Sequence, residues 1–229
     1  MFPYRDKLIA GGWAWGVALL IGLLAMINLP LFLSPEFYEL AIASGGFIPL
    51  LFSAYPFQSS YRLITATGLH GDFFHLAGNA LFLVVFGRTL ERLFGARLLL
   101  VLFPALGIAG FLLEWALHAE SPVPVIGASG AIAALMGAYL PLFPSSRIRM
   151  ILFLGFFWKR FTAPAWVFLP YWMALQLISI AMGSQDGVAY GVHAGSFAVG
   201  AIAAIIWKTT AMGAEERLAD FSRENFKQI

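Results

Sequence analysis

Six apolar segments set the limits on what this chain can fold into. They run Trp13–Leu33, Phe73–Leu93, Leu98–Leu117, Gly127–Phe143, Ala163–Met182 and Val188–Trp207, each bounded by glycine, proline or charge. A bilayer span needs about 20 mostly apolar residues, and fewer where a helix lies beneath a loop. Six such segments in 229 residues predict an all-α membrane protein, a six-transmembrane-helix bundle. Only 11% of the residues are charged, against about a quarter in soluble proteins. With no long polar linker, residues 1–208 read as one membrane domain and residues 209–229 as a short cytoplasmic tail, a charged, soluble helix from Ala214 onward.

The segments between the spans are less regular. Ser34 to Arg62, with GGFIPLLFSAYPF at its centre, is apolar but broken by glycine and proline, and reads as a large first loop immersed in the outer leaflet. Met150 to Trp158 is apolar but short and flanked by Arg147, Arg149, Lys159 and Arg160, which places it at the interface as a hairpin. With the amino terminus inside, Arg5, Lys7, Arg88, Arg92, Arg97, Arg147, Arg149, Lys159, Arg160, Lys208, Arg217, Arg223 and Lys227 are cytoplasmic, and Arg62 alone lies outside. Cytoplasmic loops carry the excess of Lys and Arg, so this orientation, with both termini cytoplasmic, is the expected one. The first apolar run is span-length and lacks a cleavage site, so it reads as a retained helix.

Composition also removes some chemistries. The chain has no cysteine, hence no disulfide, cysteine nucleophile or cysteine-based zinc site, and its formal charge of +2 is too small to point to nucleic acid. HExxH is absent, and His70 and His75 are five apart, which does not suit a zinc pair on one helical face. No span carries a central aspartate of the kind an aspartyl protease needs. No internal repeat supports a transporter.

Polar groups inside a span are costly, so each is a functional candidate. His75 and Asn79 are four apart and share a face of the second span. Ser129 opens the fourth span, and His193 lies early in the sixth, on the order of 8 Å below its start at Val188. All four residues fall near span starts on the outer side, at similar depth. Small residues, Gly127, Gly130, Ala134 and Gly137 on one span and Gly191, Gly195 and Gly200 on the other, allow the backbones to approach. Ser129 can then meet His193, the minimal arrangement in which an imidazole activates a hydroxyl for nucleophilic attack. The helix amino terminus at Ser129 adds free amides for an oxyanion, with His75 and Asn79 as further donors. Asp6, Asp72, Asp186 and Asp220 fall near ends or in loops, so a dyad is expected rather than a triad. Taken singly, Ser129 also reads as a cap or packing residue, His193 as a ring bonded to a carbonyl, and Asn79 as interhelical glue.

From Tyr61 to Trp207 the chain resembles the rhomboid intramembrane serine proteases. Tyr61-Arg62 resembles their aromatic-arginine pair, HGDFFHLAGN their HxxxxHxxxN pattern through His70, His75 and Asn79, and GASG their nucleophile motif. FGRTLERLFG, APAW and GVAYGVHAGSFAVG are similar to the end of the second span, the start of the fifth and the sixth span. The resemblance implies Ser129 as nucleophile, His193 as general base, and His75, Asn79, Gly127 and the Ser129 amide as oxyanion- or substrate-stabilising groups. It implies a structural His70, a scaffolding Glu91, and an Arg62 that, together with the immersed first loop, stabilises the outer-leaflet side. Four positions depart from the family: Ala133 for an aromatic ring on the imidazole, Val192 for a small residue before the histidine, Ser196 for a glycine after it, and Ala66 where some members carry another histidine. Those departures are expected to loosen the dyad.

The implied activity is cleavage of transmembrane protein substrates near the outer face of the bilayer, with no metal or cofactor, in a bacterial inner membrane. The alternatives are a catalytically weak or inactive rhomboid-like protein that binds membrane clients, and a small transporter. Because the chain lacks cysteine, its orientation can be read without background labelling. Ser121→Cys should react with an impermeant thiol reagent added outside, and Ser222→Cys should not.

Overall fold

In the computed structural model, residues 2–6, 14–154, 157–184 and 187–226 are described. The expected first-span start at Trp13, the basic residues Lys7 and Lys227, and the loop carboxylate Asp186 lie outside them. The fold is mostly helical. Helices α1 (Trp15–Phe32), α8 (Ala96–Leu117) and α11 (Tyr190–Thr210), and the continuous stretch Phe73–Phe94, are long and apolar enough to cross a membrane; α9 (Ser129–Leu142) and α10 (Ala165–Ala181) are shorter apolar helices. The chain is a multi-pass integral membrane protein. The outward faces of these helices carry Met26, Val101, Leu177 and Ile202, all well exposed, as expected of surfaces that meet lipid rather than water.

Helix α9 is the centre of the bundle. Its 14 residues rise only about 21 Å, less than the roughly 30 Å hydrocarbon thickness, and ten of them are buried. A short, fully enclosed helix can begin below the surface and still have its polar start reached through the loops above it. Its closest neighbour is α11. A Cβ built on Gly137 would lie 1.9 Å from the Phe197 carbonyl oxygen, and one on Gly200 would lie 1.8 Å from that of Ala134. No side chain fits at either position, so backbone meets backbone. Of the other expected small residues, Gly191 and Gly195 instead face Leu117 and Leu113 of α8.

The second span is continuous but not uniform. It comprises α6 (Phe73–Phe82), a π-helical turn over Leu83–Gly87, and α7 (Arg88–Phe94). Near its end, Glu91 accepts hydrogen bonds from the amides of Gly16 and Val17, at 3.0 and 2.8 Å. A carboxylate there satisfies two orphan donors in the first turn of α1 and complements its dipole. The scaffolding expectation for Glu91 thereby acquires a partner, the amino terminus of α1.

The first loop is helical where irregular structure was expected. It contains α2 (Pro35–Gly45), α3 (Pro49–Ala54), α4 (Pro56–Ser59) and α5 (Arg62–Gly68). Three of these helices begin at proline, which lacks an N–H that a first turn would leave unpaired anyway. The final carbonyls of α2 are satisfied from α5 and the residue before it: Arg62 donates to Ala43 and Gly46, Tyr61 to Ser44, and Thr65 to Gly45. Arg62 therefore steadies this segment by closing a helix carboxyl end.

Met150–Trp158 lies in the expected hairpin, formed by β2 (Arg147–Leu154) and β3 (Phe157–Pro164). A third strand, β1 (Phe2–Asp6), pairs antiparallel with β2, adding a small sheet to the expected all-α bundle. Asp6 is buried and accepts from Thr89, Tyr139 and Ser146, tying the start of the chain to α7 and α9. The tail forms α12 (Ala214–Phe226), but not as a freely solvated helix: Ala214, Leu218 and Phe221 are buried, and Phe221 packs on Phe143.

The α9–α11 contact makes a sharp prediction. Gly200→Ala should lower the thermal midpoint in detergent severely or prevent folding, because the new methyl would overlap a carbonyl. Gly22→Ala, whose Cβ would meet nothing within 4 Å, should leave the midpoint within a few degrees, as read by circular dichroism.

Candidate active site

Ser129 is the first residue of α9, preceded by Gly127 and Ala128. Gly127 has φ of +118°, a conformation that side-chain-bearing residues rarely adopt, and a Cβ there would lie 2.9 Å from the His75 ring. The missing side chain thus leaves room for His75. The Gly127 amide is already committed to the Ala66 carbonyl at 2.9 Å. That bond, with the Phe47–Val125 bridge and the Leu50 amide on Ser121, fastens the turn before Ser129 to the first-loop helices.

His193 lies in the first turn of α11, and its Nε2 is 2.8 Å from Ser129 Oγ. Neither Ala128 nor any other side chain caps α9, and the serine hydroxyl is directed at the imidazole rather than at its own helix. Three of the departures from the family have identifiable neighbours. Val192 and Ser196 fit because the facing positions are Gly110 on α8 and Gly130 on α9, whose hypothetical Cβ atoms would lie 3.0–3.5 Å from their side chains. Ala133 brings no ring to the imidazole, but Trp172 of α10 stands 6.0 Å from it and Tyr190 6.4 Å, centroid to centroid.

His75 and Asn79 lie on α6 as the spacing predicted. The His75 ring and Ser129 Oγ both approach the vacant Cβ position of Gly127, at 2.9 and 3.7 Å. The Asn79 side chain is buried, and its Nδ2 has no hydrogen-bond partner among the described residues. His70 is fully buried and packs edge-on against His75 at 5.0 Å, while its amide donates to Asn28 of α1 at 2.8 Å. Asn28 in turn donates to the Leu24 and Gly68 carbonyls, so α1 secures the turn that carries His70.

Sequence reasoning passed over three buried amide or carboxyl side chains within spans. Asn28 is one. Glu114 of α8 is another, paired with His118 at 3.0 Å. The third is Gln176 of α10, whose Oε1 lies 2.9 Å from His193 Nδ1. Each was legible as a polar group in an apolar span; attention to nucleophiles and ring nitrogens hid them. Among the described residues, no three His, Cys, Asp or Glu side chains converge as metal ligands would.

The model of the rhomboid domain matches residues 58–209. The chain is 39% identical to the rhomboid protease GluP of Bacillus subtilis over 38% of its own length and 17% of that protein's. It is 39% identical to the putative rhomboid protease YdcA of the same organism over 45% of each chain. With RHOMBOID-like protein 12, mitochondrial, of Arabidopsis thaliana it shares 30% identity over 62% of this chain and 45% of that one. The aligned region thus spans less than half the length of each of these relatives. The chain belongs to the rhomboid family.

His70 carries a pH prediction. Burial pushes its imidazole down to about 4, His75 adds to the shift, and the Gly68 carbonyl opposes it. A folded-state value below that of the unfolded chain means the unfolded state binds more protons between about pH 4 and 6.5. The stabilisation is complete above that window and is lost as pH falls through it, by up to about 3 kcal/mol. Thermal unfolding should show this acid loss, and His70→Phe should flatten it.

Proposed function

We propose that this protein is an intramembrane serine endopeptidase that cleaves transmembrane protein substrates near the outer membrane face. The observation that carries the reading is the 2.8 Å contact between Ser129 Oγ and His193 Nε2. His193 takes the hydroxyl proton as Ser129 Oγ attacks a peptide carbonyl, and the carbonyl π electrons move onto oxygen. The Ser129 amide, Asn79 Nδ2 and the His75 ring stabilise that oxyanion. Gly127 contributes by making room for His75 rather than through its own committed amide. His193 then protonates the departing amine, leaving an acyl-enzyme. Water, deprotonated by His193, releases the new carboxylate and restores the hydroxyl.

Substrate access is lateral, between α6 and α10. The π-helical turn that follows α6 meets α10 through the stacked rings of Phe86 and Phe168, 6.2 Å apart, with Phe86 roughly 16 Å along the second span from His75. An unwound, small-residue stretch is the preferred target, because a helical backbone withholds its carbonyls. The distribution of basic residues supports cytoplasmic termini, in a membrane that we take to be a bacterial inner membrane.

Purified protein in detergent or liposomes should cleave a generic single-span substrate, and Ser129→Ala should abolish cleavage. Chelators should have no effect. Asn79→Ala should lower kcat by about ten- to a thousandfold with little change in KM, since its donor acts on charge that exists only in the transition state. Cleavage by Ser129→Ala at the wild-type rate would overturn the reading.

A further inference from the structure

Gln176 is buried in an apolar helix, where an unsatisfied amide would be costly. Both of its ends are occupied. Nε2 lies 3.3 Å from the Trp172 carbonyl of its own helix, and Oε1 lies 2.9 Å from His193 Nδ1. A backbone carbonyl can only accept, so the amide must turn its NH2 to Trp172 and its oxygen to the ring. That oxygen can also only accept, so Nδ1 must carry the hydrogen. A neutral imidazole has a single N–H, which leaves Nε2 as a bare acceptor facing the Ser129 hydroxyl at 2.8 Å.

We propose that Gln176 is a positioning residue, beyond the expected dyad, that fixes His193 in the Nδ1–H tautomer and so keeps Nε2 as the base toward Ser129. This rests on the peptidase reading above. A free histidine side chain favours the other tautomer, in which the nitrogen facing the serine would hold a proton and could not accept one. Gln176 reverses that preference with one hydrogen bond, while Trp172 holds the ring from the same helix, 6.0 Å away. A neutral acceptor suits the site. A carboxylate in the same place would bring a buried charge into the membrane, with a desolvation cost that a serine–imidazole pair does not need to bear. The rival role is packing, in which Gln176 merely joins α10 to α11.

The two roles separate in kinetics and in spectra. Wild type, Gln176→Leu, Gln176→Met, Gln176→Glu and Ser129→Ala are purified as full chains and assayed on one single-span substrate. Positioning predicts that Leu and Met lower kcat by about ten- to a hundredfold with KM within about twofold, at unchanged thermal midpoint. Glu, whose neutral carboxyl can donate to the Trp172 carbonyl and keep an acceptor oxygen toward Nδ1, restores most of kcat. In ¹⁵N spectra the wild-type His193 is the Nδ1–H form, and Gln176→Leu shifts it toward Nε2–H.

Wild-type kcat in Gln176→Leu, equal impairment of Leu and Glu, or an Nε2–H ring in the wild type would overturn the proposal. The spectrum of the wild type decides the case even if a variant fails to fold. Activity in Ser129→Ala would instead sink the peptidase reading itself; an inactive Ser129→Ala beside a fully active Gln176→Leu would remove only Gln176.

Discussion

The backbones of α9 and α11 touch, and the separation of Ser129 from His193 follows from that contact. Gly137 and Gly200 each face a carbonyl at a distance no Cβ could occupy. In lipid there is little hydrophobic drive to bring helices together, so packing of this closeness, with weak backbone contacts, has to hold them. The contact also sets the register: with these glycines engaged, the starts of the two helices lie side by side, and the hydroxyl of one meets the ring of the other. Gly110 and Gly130 extend the same logic toward the site by accommodating Val192 and Ser196.

Around this pair the fold is fastened by buried polar groups at both ends. Glu91 holds the start of α1, Asp6 gathers Thr89, Tyr139 and Ser146, and Asn28 secures the turn before α6. Removing one partner of such a buried hydrogen-bonded arrangement typically costs about 1–3 kcal/mol, because the group left behind is unpaired in a medium that cannot solvate it. These groups do no chemistry. They keep α6, α9 and α11 in one relation while the first-loop helices brace the turn that leads into Ser129.

The candidate site was more legible in the sequence than its surroundings. Ser129, His193, His75 and Asn79 were readable because a polar residue in a span is rare and expensive, and the glycine pattern said which helices could approach. The first loop differs from its sequence pattern because proline starts a helix as readily as it ends one: Pro35, Pro49 and Pro56 each begin a helix. Strand β1, five residues long, is too short for alternation to reveal, and its partner β2 is distant in sequence. Gln176 was missed for a chemical reason: an amide neither attacks nor titrates. The departures at Ala133, Val192 and Ser196 were legible one by one, but the neighbours that face them, Trp172, Gly110 and Gly130, were not.

The central claim is that Ser129 is a nucleophile because His193 makes it one. Peptide mass spectrometry of protein treated with a fluorophosphonate tests it directly, since the reagent forms a covalent bond only with an activated hydroxyl. The adduct should map to Ser129 alone in the wild type and should be lost in folded His193→Ala. Labelling of other serines instead, or undiminished labelling of Ser129 without His193, would contradict the account.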